Sequence, residues 1–228
     1  MDPTLIITRP APAGPGFAAA VLAMLDSPVA VIHAPAFRIT PLAAKVPQVA
    51  HVIFTSVNGV AAAPAMPGAM AWCVGQATGR AARARGFESC VAGGDAEALI
   101  ALILSERPQG RMVHLAGRHR RGAVAERLTA AGVPCDTVEV YAQIAEPPTA
   151  ALIAIAKGTS PLVAPVFSPR SAQGLLAVRP TAPLHVIAIS PAVAEVMAEL
   201  MPATLLTAIK PDAHQMENMT AKVIQRLR

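Results

Sequence analysis

At 228 residues the chain exceeds one ordinary domain of about 100–150 residues, which predicts one large domain or two small ones. Hydrophobic residues make up 54% and charged residues 14%, which excludes a disordered chain, and with 3% aromatics the core must be aliphatic. A formal charge of +5 and a pI near 9.6 suit an anionic partner; without base-stacking aromatics or an RNP-like or finger motif, a small polyanion fits at least as well as nucleic acid.

Short apolar runs of strand character alternate with Ala-rich helical runs. Leu5–Thr8 reads as a strand and Gly16–Leu25 as the following helix. Strand Ala30–His33 comes next, then a crossover His33–Pro41. Four strand–helix pairs follow: Val52–Thr55 with Asn58–Ala63, Ala71–Val74 with Ala77–Arg85, Ser89–Val91 with Ala96–Leu104, and Met112–Ala116 with Ala123–Ala131. Asp136–Tyr141 alternates Val with polar residues, as an edge strand does. A second crossover spans Val140–Pro148. Beyond it the spacing predicts helix Thr149–Lys157, strand Leu162–Phe167, helix Ser171–Val178, strand His185–Ile189, helix Ala192–Met201, strand Thr204–Thr207 and a closing helix Met216–Leu227. This rhythm implies parallel sheets covered on both faces, and the number of units favours two linked α/β domains. A weak repeat relates Val52-Ile-Phe-Thr-Ser-Val-Asn-Gly-Val to Pro165-Val-Phe-Ser-Pro-Arg-Ser-Ala-Gln; it also fits the general likeness of parallel α/β units.

No apolar run approaches the roughly 20 residues that span a bilayer, and no signal peptide is apparent. Cys73, Cys90 and Cys135 are widely spaced with no CxxC pair, which fits reduced thiols in a cytosolic protein. The six histidines show no metal-ligand spacing and read as structural. Walker, GxGxxG and GxSxG signatures are absent. Any catalysis must therefore rest on geometry, hydroxyls and basic residues.

Hydroxyls stand at four strand–helix turns: Thr55-Ser56, Thr78, Ser168 with Ser171, and Ser190. Ligands of parallel α/β folds bind at the carboxyl ends of strands, where helix N-termini attract carboxylates or phosphates. Taken singly, each hydroxyl reads more readily as an N-cap, and Ser190-Pro191 is especially cap-like. Gly117-Arg-His-Arg-Arg-Gly122 is the densest basic cluster; three Arg in four residues repel one another unless an anion or solvent relieves them. Arg9 and Arg38 are further cationic candidates. Tyr141, the only tyrosine, stands at the second crossover, placed either to donate a proton in a cleft or to brace a hinge.

Leu5-Ile-Ile-Thr-Arg-Pro, Ile53-Phe-Thr-Ser-Val-Asn-Gly-Val, Val74-Gly-Gln-Ala-Thr-Gly, Gly132-Val-Pro-Cys-Asp-Thr-Val-Glu-Val-Tyr, Phe167-Ser-Pro-Arg-Ser-Ala and Ile187-Ala-Ile-Ser-Pro, in this order and spacing, resemble the uroporphyrinogen-III synthase family. The resemblance implies two parallel-sheet α/β domains joined by a two-stranded linker. Residues 1–34 and 146–228 would form a discontinuous first domain, 39–139 an inserted second one, and 35–38 and 140–145 the linkers. It implies an enzyme without cofactor that closes hydroxymethylbilane, an eight-carboxylate linear tetrapyrrole, to uroporphyrinogen III with ring D inverted. The thiols fit a cytoplasmic setting, the histidine spacing gives no metal site, and a monomer is expected because no helix shows an exposed apolar seam. Tyr141 would assist departure of the terminal hydroxyl. Ser56, Thr78 and Ser168 match hydroxyl positions of the family and would bind substrate. Arg9, Asn58, Arg118, Arg121, Ser171 and Ser190 are further substrate-binding candidates from this chain's own turns and charge, the basic loop being richer in Arg than the family pattern. Where the family often has Gly-Pro-Thr-Thr, this chain has Ile189-Ser-Pro-Ala. Two other readings share the composition: a non-catalytic two-lobed binding protein for an anionic small molecule, and a nucleic-acid-associated α/β protein.

Overall fold

A computed structural model describes residues 2–120 and 122–228. In chain order the elements are β1 (Thr4–Ile7), α1 (Ala13–Leu22), β2 (Ala30–His33), β3 (Phe37–Pro41), β4 (His51–Phe54), α2 (Val57–Ala62), β5 (Met70–Cys73), α3 (Gln76–Ala84), β6 (Glu88–Val91) and α4 (Ala96–Glu106). They continue as β7 (Met112–Gly117), α5 (Val124–Ala130), β8 (Cys135–Ala145), α6 (Ala150–Ala156), β9 (Leu162–Val166), α7 (Pro169–Val178), β10 (Leu184–Ala188), α8 (Pro191–Ala198), β11 (Thr204–Thr207) and α9 (Ala213–Arg226). The chain divides into two compact units, residues 1–38 with 144–228, and residues 39–143.

The first unit is a parallel sheet in the order β11-β10-β9-β1-β2. Alternation along β1 explains its two cores. Leu5 and Ile7 point to one face with Phe17, Val21, Met216 and Ile224; Ile6 points to the other with Leu152, Leu175 and Met197. The strands read as continuous apolar runs because both faces are covered. From β1 the chain proceeds first to β2 on one side and then to β9 on the other. The crevice at the carboxyl ends of β1 and β9 is therefore the topological switch point of this sheet.

The second unit's sheet runs β3-β8-β7-β4-β5-β6. Strands β8, β7, β4, β5 and β6 are parallel. Val52, Phe54, Val113 and Leu115 fill one face, and Ile53, Trp72, Leu99 and Met112 the other. Its switch point lies between β4 and β7. The segment with edge-strand patterning is interior: β8 lies between β7 and β3. Leu42 N donates to Val140 O and Glu146 N to Ala36 O, so the outer backbone edge of β8 is used by β3, which runs antiparallel to it. Strand β3 falls where the sequence predicts only a crossover, and β8 runs on to Ala145 inside the second predicted crossover. The α/β class with parallel sheets is as expected.

Candidate functional site

The second unit holds the clearer site. Strand β4 ends at Phe54, and the turn Thr55-Ser56 leads directly into α2. Ser56 is the N-cap of that helix and its Oγ accepts from Gly59 N at 3.2 Å. The same Oγ lies 3.0 Å from the Tyr141 hydroxyl, 85 residues further along the chain. Tyr141 reaches it because the β7–β8 ladder slips: Ala116 pairs with Glu139 but Gly117 pairs with Tyr141, leaving Val140 as the extra residue of a bulge. The bulge lets Val140 and Tyr141 both be buried, against strict alternation. Gly117 makes the space, since a Cβ on it would lie 2.5 Å from Tyr141 Cζ.

Thr55, Ser56, Val74, Ala96, Gly117, His119, Arg120 and Tyr141 line a cavity of about 260 Å³ at this switch point. That is just below the roughly 300 Å³ lower bound of small-molecule pockets, room for one heterocyclic ring rather than four. Thr55 Oγ1 lies 3.0 Å from Nε2 of His114, a buried residue on β7. Burial chiefly, and the nearby Arg120 cation next, push the His114 imidazole down to about 4; Glu126 opposes them. A larger cavity of about 690 Å³, lined by Arg107, Arg111 and Gly132 among others, lies at the opposite end of the sheet, where β7 begins, away from these hydroxyls.

The first unit brings Arg9 and Ser168 to its own switch point. The Arg9 guanidinium sits 4.6 Å from the centroid of the Phe167 ring, and Ser168 follows as N-cap of α7. Burial holds the Arg9 pKa below its ordinary value. Ser168 and Ser171 form a reciprocal capping box: Ser168 Oγ accepts from Ser171 N, and Ser171 Oγ from Ser168 N, each at 3.0 Å. Ser190 occupies the N-cap position of α8 ahead of Pro191, but its side chain makes no capping bond. Ser190-Pro191 reads as especially cap-like in the sequence, yet its hydroxyl does not cap, whereas that of Ser168, also followed by proline, does.

A sequence model of the family described as uroporphyrinogen-III synthase HemD matches residues 24–218, most of the chain. The chain belongs to the uroporphyrinogen-III synthase family. Among solved structures, it is similar to the uroporphyrinogen-III synthetase of Helicobacter pylori 26695, at 14% identity and TM-score 0.67, over 98% of this chain and 100% of that one. A mutant uroporphyrinogen III synthase from the extreme thermophile Thermus thermophilus matches at 14% identity and TM-score 0.54, over 98% and 99% of the two chains. No curated protein matches the chain. Membership makes the chain a lyase of porphyrin biosynthesis, a synthase that converts linear hydroxymethylbilane to uroporphyrinogen III. No helix among the described residues is long and apolar enough to cross a membrane.

Of the synthase residues expected from sequence, Ser56 and Tyr141 share the small cavity, with Asn58 two residues on in α2. Thr78 is buried in the first turn of α3, behind β5, and does not line that cavity. Arg118 follows Gly117 of the cavity wall, with its Nε 3.3 Å from Glu139 Oε2. Arg120 lines the cavity and pairs with Glu126 at 3.1 Å and Glu139 at 3.8 Å. The mutual repulsion of these arginines is thus relieved by protein carboxylates. Arg121 lies outside the described residues. Arg38, the crossover cation, pairs with Glu146 at 2.7 Å. Spacing alone marks His114 as structural and gives Gly117 no role beyond bounding the basic loop. A histidine within an otherwise apolar strand, with glycine three residues on, is the signal that could have found both.

Proposed function

We propose that the Ser56–Tyr141 cavity takes the hydroxymethyl end of hydroxymethylbilane and that Tyr141 protonates its departing hydroxyl. The carrying observation is the Tyr141 hydroxyl, 6% exposed as a residue and held 3.0 Å from Ser56 Oγ in a ring-sized cavity at a sheet's switch point. Ser56 Oγ already accepts one N–H from Gly59, which fixes its position; either hydroxyl of the Ser56–Tyr141 pair can donate, and when Ser56 donates the phenol keeps its proton for the substrate. Hydroxide leaves poorly; a proton delivered as the C–O bond breaks lets the oxygen leave as water, taking the bond's electron pair. The lone pair of the pyrrole nitrogen fills the vacated carbon, giving an azafulvene. The substituted carbon of ring D attacks it, the spiro product fragments and recloses with ring D inverted, and the proton lost on rearomatisation restores the phenol. The balance is bilane to macrocycle plus water, with no cofactor. Product choice then rests on how the bilane is held.

The substrate's carboxylate arms are assigned to the ends of strands in each unit. Arg9, Ser168, Ser171 and Ser190 serve in the first; Asn58, Thr78, Arg118 and Arg121 serve in the second. Ser190 has a hydroxyl not spent on capping, whereas Ser168 and Ser171 would act mainly by holding the first N–H groups of α7 in place. The basic pI of about 9.6 supports a polyanionic substrate. The free thiols support a reducing, cytoplasmic setting, and the enzyme is read as a monomer. Tyr141→Phe tests the central assignment with freshly generated hydroxymethylbilane. The expected result is a fall in kcat of about 100-fold with KM little changed, and isomer I rising through spontaneous closure. An unchanged kcat removes Tyr141 from the chemistry.

A further inference from the structure

His114 stands on β7, 1% exposed, and takes no part in the steps above. Its Nε2 lies 3.0 Å from Thr55 Oγ1, and its Nδ1 is buried with no hydrogen-bond partner among the described residues. A neutral imidazole carries one N–H and one bare nitrogen. A buried N–H without an acceptor is rarer than an under-used acceptor, so the proton belongs on Nε2, which donates to Thr55 Oγ1. The reverse tautomer would leave an N–H stranded in the core. Thr55 Oγ1 then retains its own O–H for a different acceptor. Thr55 lines the same cavity as Ser56 and Tyr141.

We propose that His114 is a positioning residue: by donating to Thr55 Oγ1 it turns the Thr55 proton into the cavity, where the departing hydroxyl oxygen of the bilane accepts it. This rests on the reading of Tyr141 as proton donor. Thr55 supplies a second hydrogen bond to the oxygen on which charge develops, and Tyr141 transfers the proton. Neither His114 nor Thr55 gives up a proton, so the overall balance is unchanged. The hydrogen bond strengthens as the C–O bond breaks, which places its effect on kcat rather than KM.

The test compares kcat, KM and Tm for His114→Phe, His114→Gln, Thr55→Val and Tyr141→Phe with hydroxymethylbilane. His114→Phe removes the donor while keeping an apolar ring of similar size; it is expected to lower kcat about ten- to hundredfold with KM within threefold and Tm not reduced. His114→Gln places an N–H near the Nε2 position and is expected to restore most of the rate. Thr55→Val is expected to match His114→Phe, and it carries the test if the phenylalanine variant does not fold. A wild-type kcat in Thr55→Val, equal losses in the Phe and Gln variants, or a change confined to KM each overturns the inference. Loss in Tyr141→Phe alone overturns only the role of His114. A silent Tyr141→Phe overturns the underlying reading, and this inference with it.

Discussion

Acidification from pH 7 to pH 5 is expected to weaken the second unit by an amount traceable to one side chain. His114 titrates near 6.5 in an unfolded chain and is pushed down to about 4 by burial and Arg120 in the folded one. Between those values the unfolded state binds more protons, so stability falls as pH drops through the window and is intact above it. The gap sets a ceiling of about 3 kcal/mol, reached below pH 4, of which about 2 kcal/mol falls between pH 7 and 5. Trp72, the single tryptophan, is buried in the same sheet and reports unfolding of this unit in urea. His114→Phe removes the titrating group and leaves the other carboxylates and histidines to cancel in the comparison. The wild type is expected to lose about 2 kcal/mol more than His114→Phe over this pH range. Equal losses in the two proteins would refute the buried neutral imidazole, and with it the tautomer assigned above.

Three further outcomes follow from the geometry. Gly117→Ala forces a Cβ to 2.5 Å from Tyr141 Cζ, so the ring must move; kcat is expected to fall at least tenfold, and wild-type turnover would show that the phenol's position is immaterial. Ser168→Ala is expected to cost about 1 kcal/mol by removing a capping box, whereas Ser190→Ala, which removes no cap bond, costs a few tenths; urea titrations of both variants decide it. Replacing Arg118 and Arg120 together by Gln is expected to raise KM several-fold at low salt and to flatten its salt dependence. A KM unmoved at any salt would leave the pair serving only Glu126 and Glu139.

Much of the fold was legible because both faces of each parallel sheet are covered. Apolar runs such as Leu162–Val166 and Leu184–Ala188 announce themselves. Strand β3 did not: Phe-Arg-Ile-Thr-Pro carries Arg and Pro, and only pairing with β8 makes it a strand. Register was equally out of reach. The bulge that aims Tyr141 arises where Gly117 meets β8, a long-range event that local spacing does not encode. The hydroxyl turns could be placed because strand–helix junctions recur at readable intervals. Which hydroxyl caps and which does not depends on side-chain rotamer: Ser168 caps and Ser190 does not, although a proline follows each of them. The acids that neutralise Arg118 and Arg120 come from α5 and β8, and alternation gave no hint of that meeting.

The pairing of β1 with β9 carries a cost for a growing chain. Leu5 finds its partner Val163 only after residues 39–143 have been made, and that stretch can collapse first as a unit of its own. At ribosomal speeds of about 5–20 residues per second, the amino-terminal strand waits on the order of 10–30 s with its greasy edge unmatched. Newly made chains should therefore lean on chaperones at this stage, and slowing translation beyond residue 143 would lengthen the exposure.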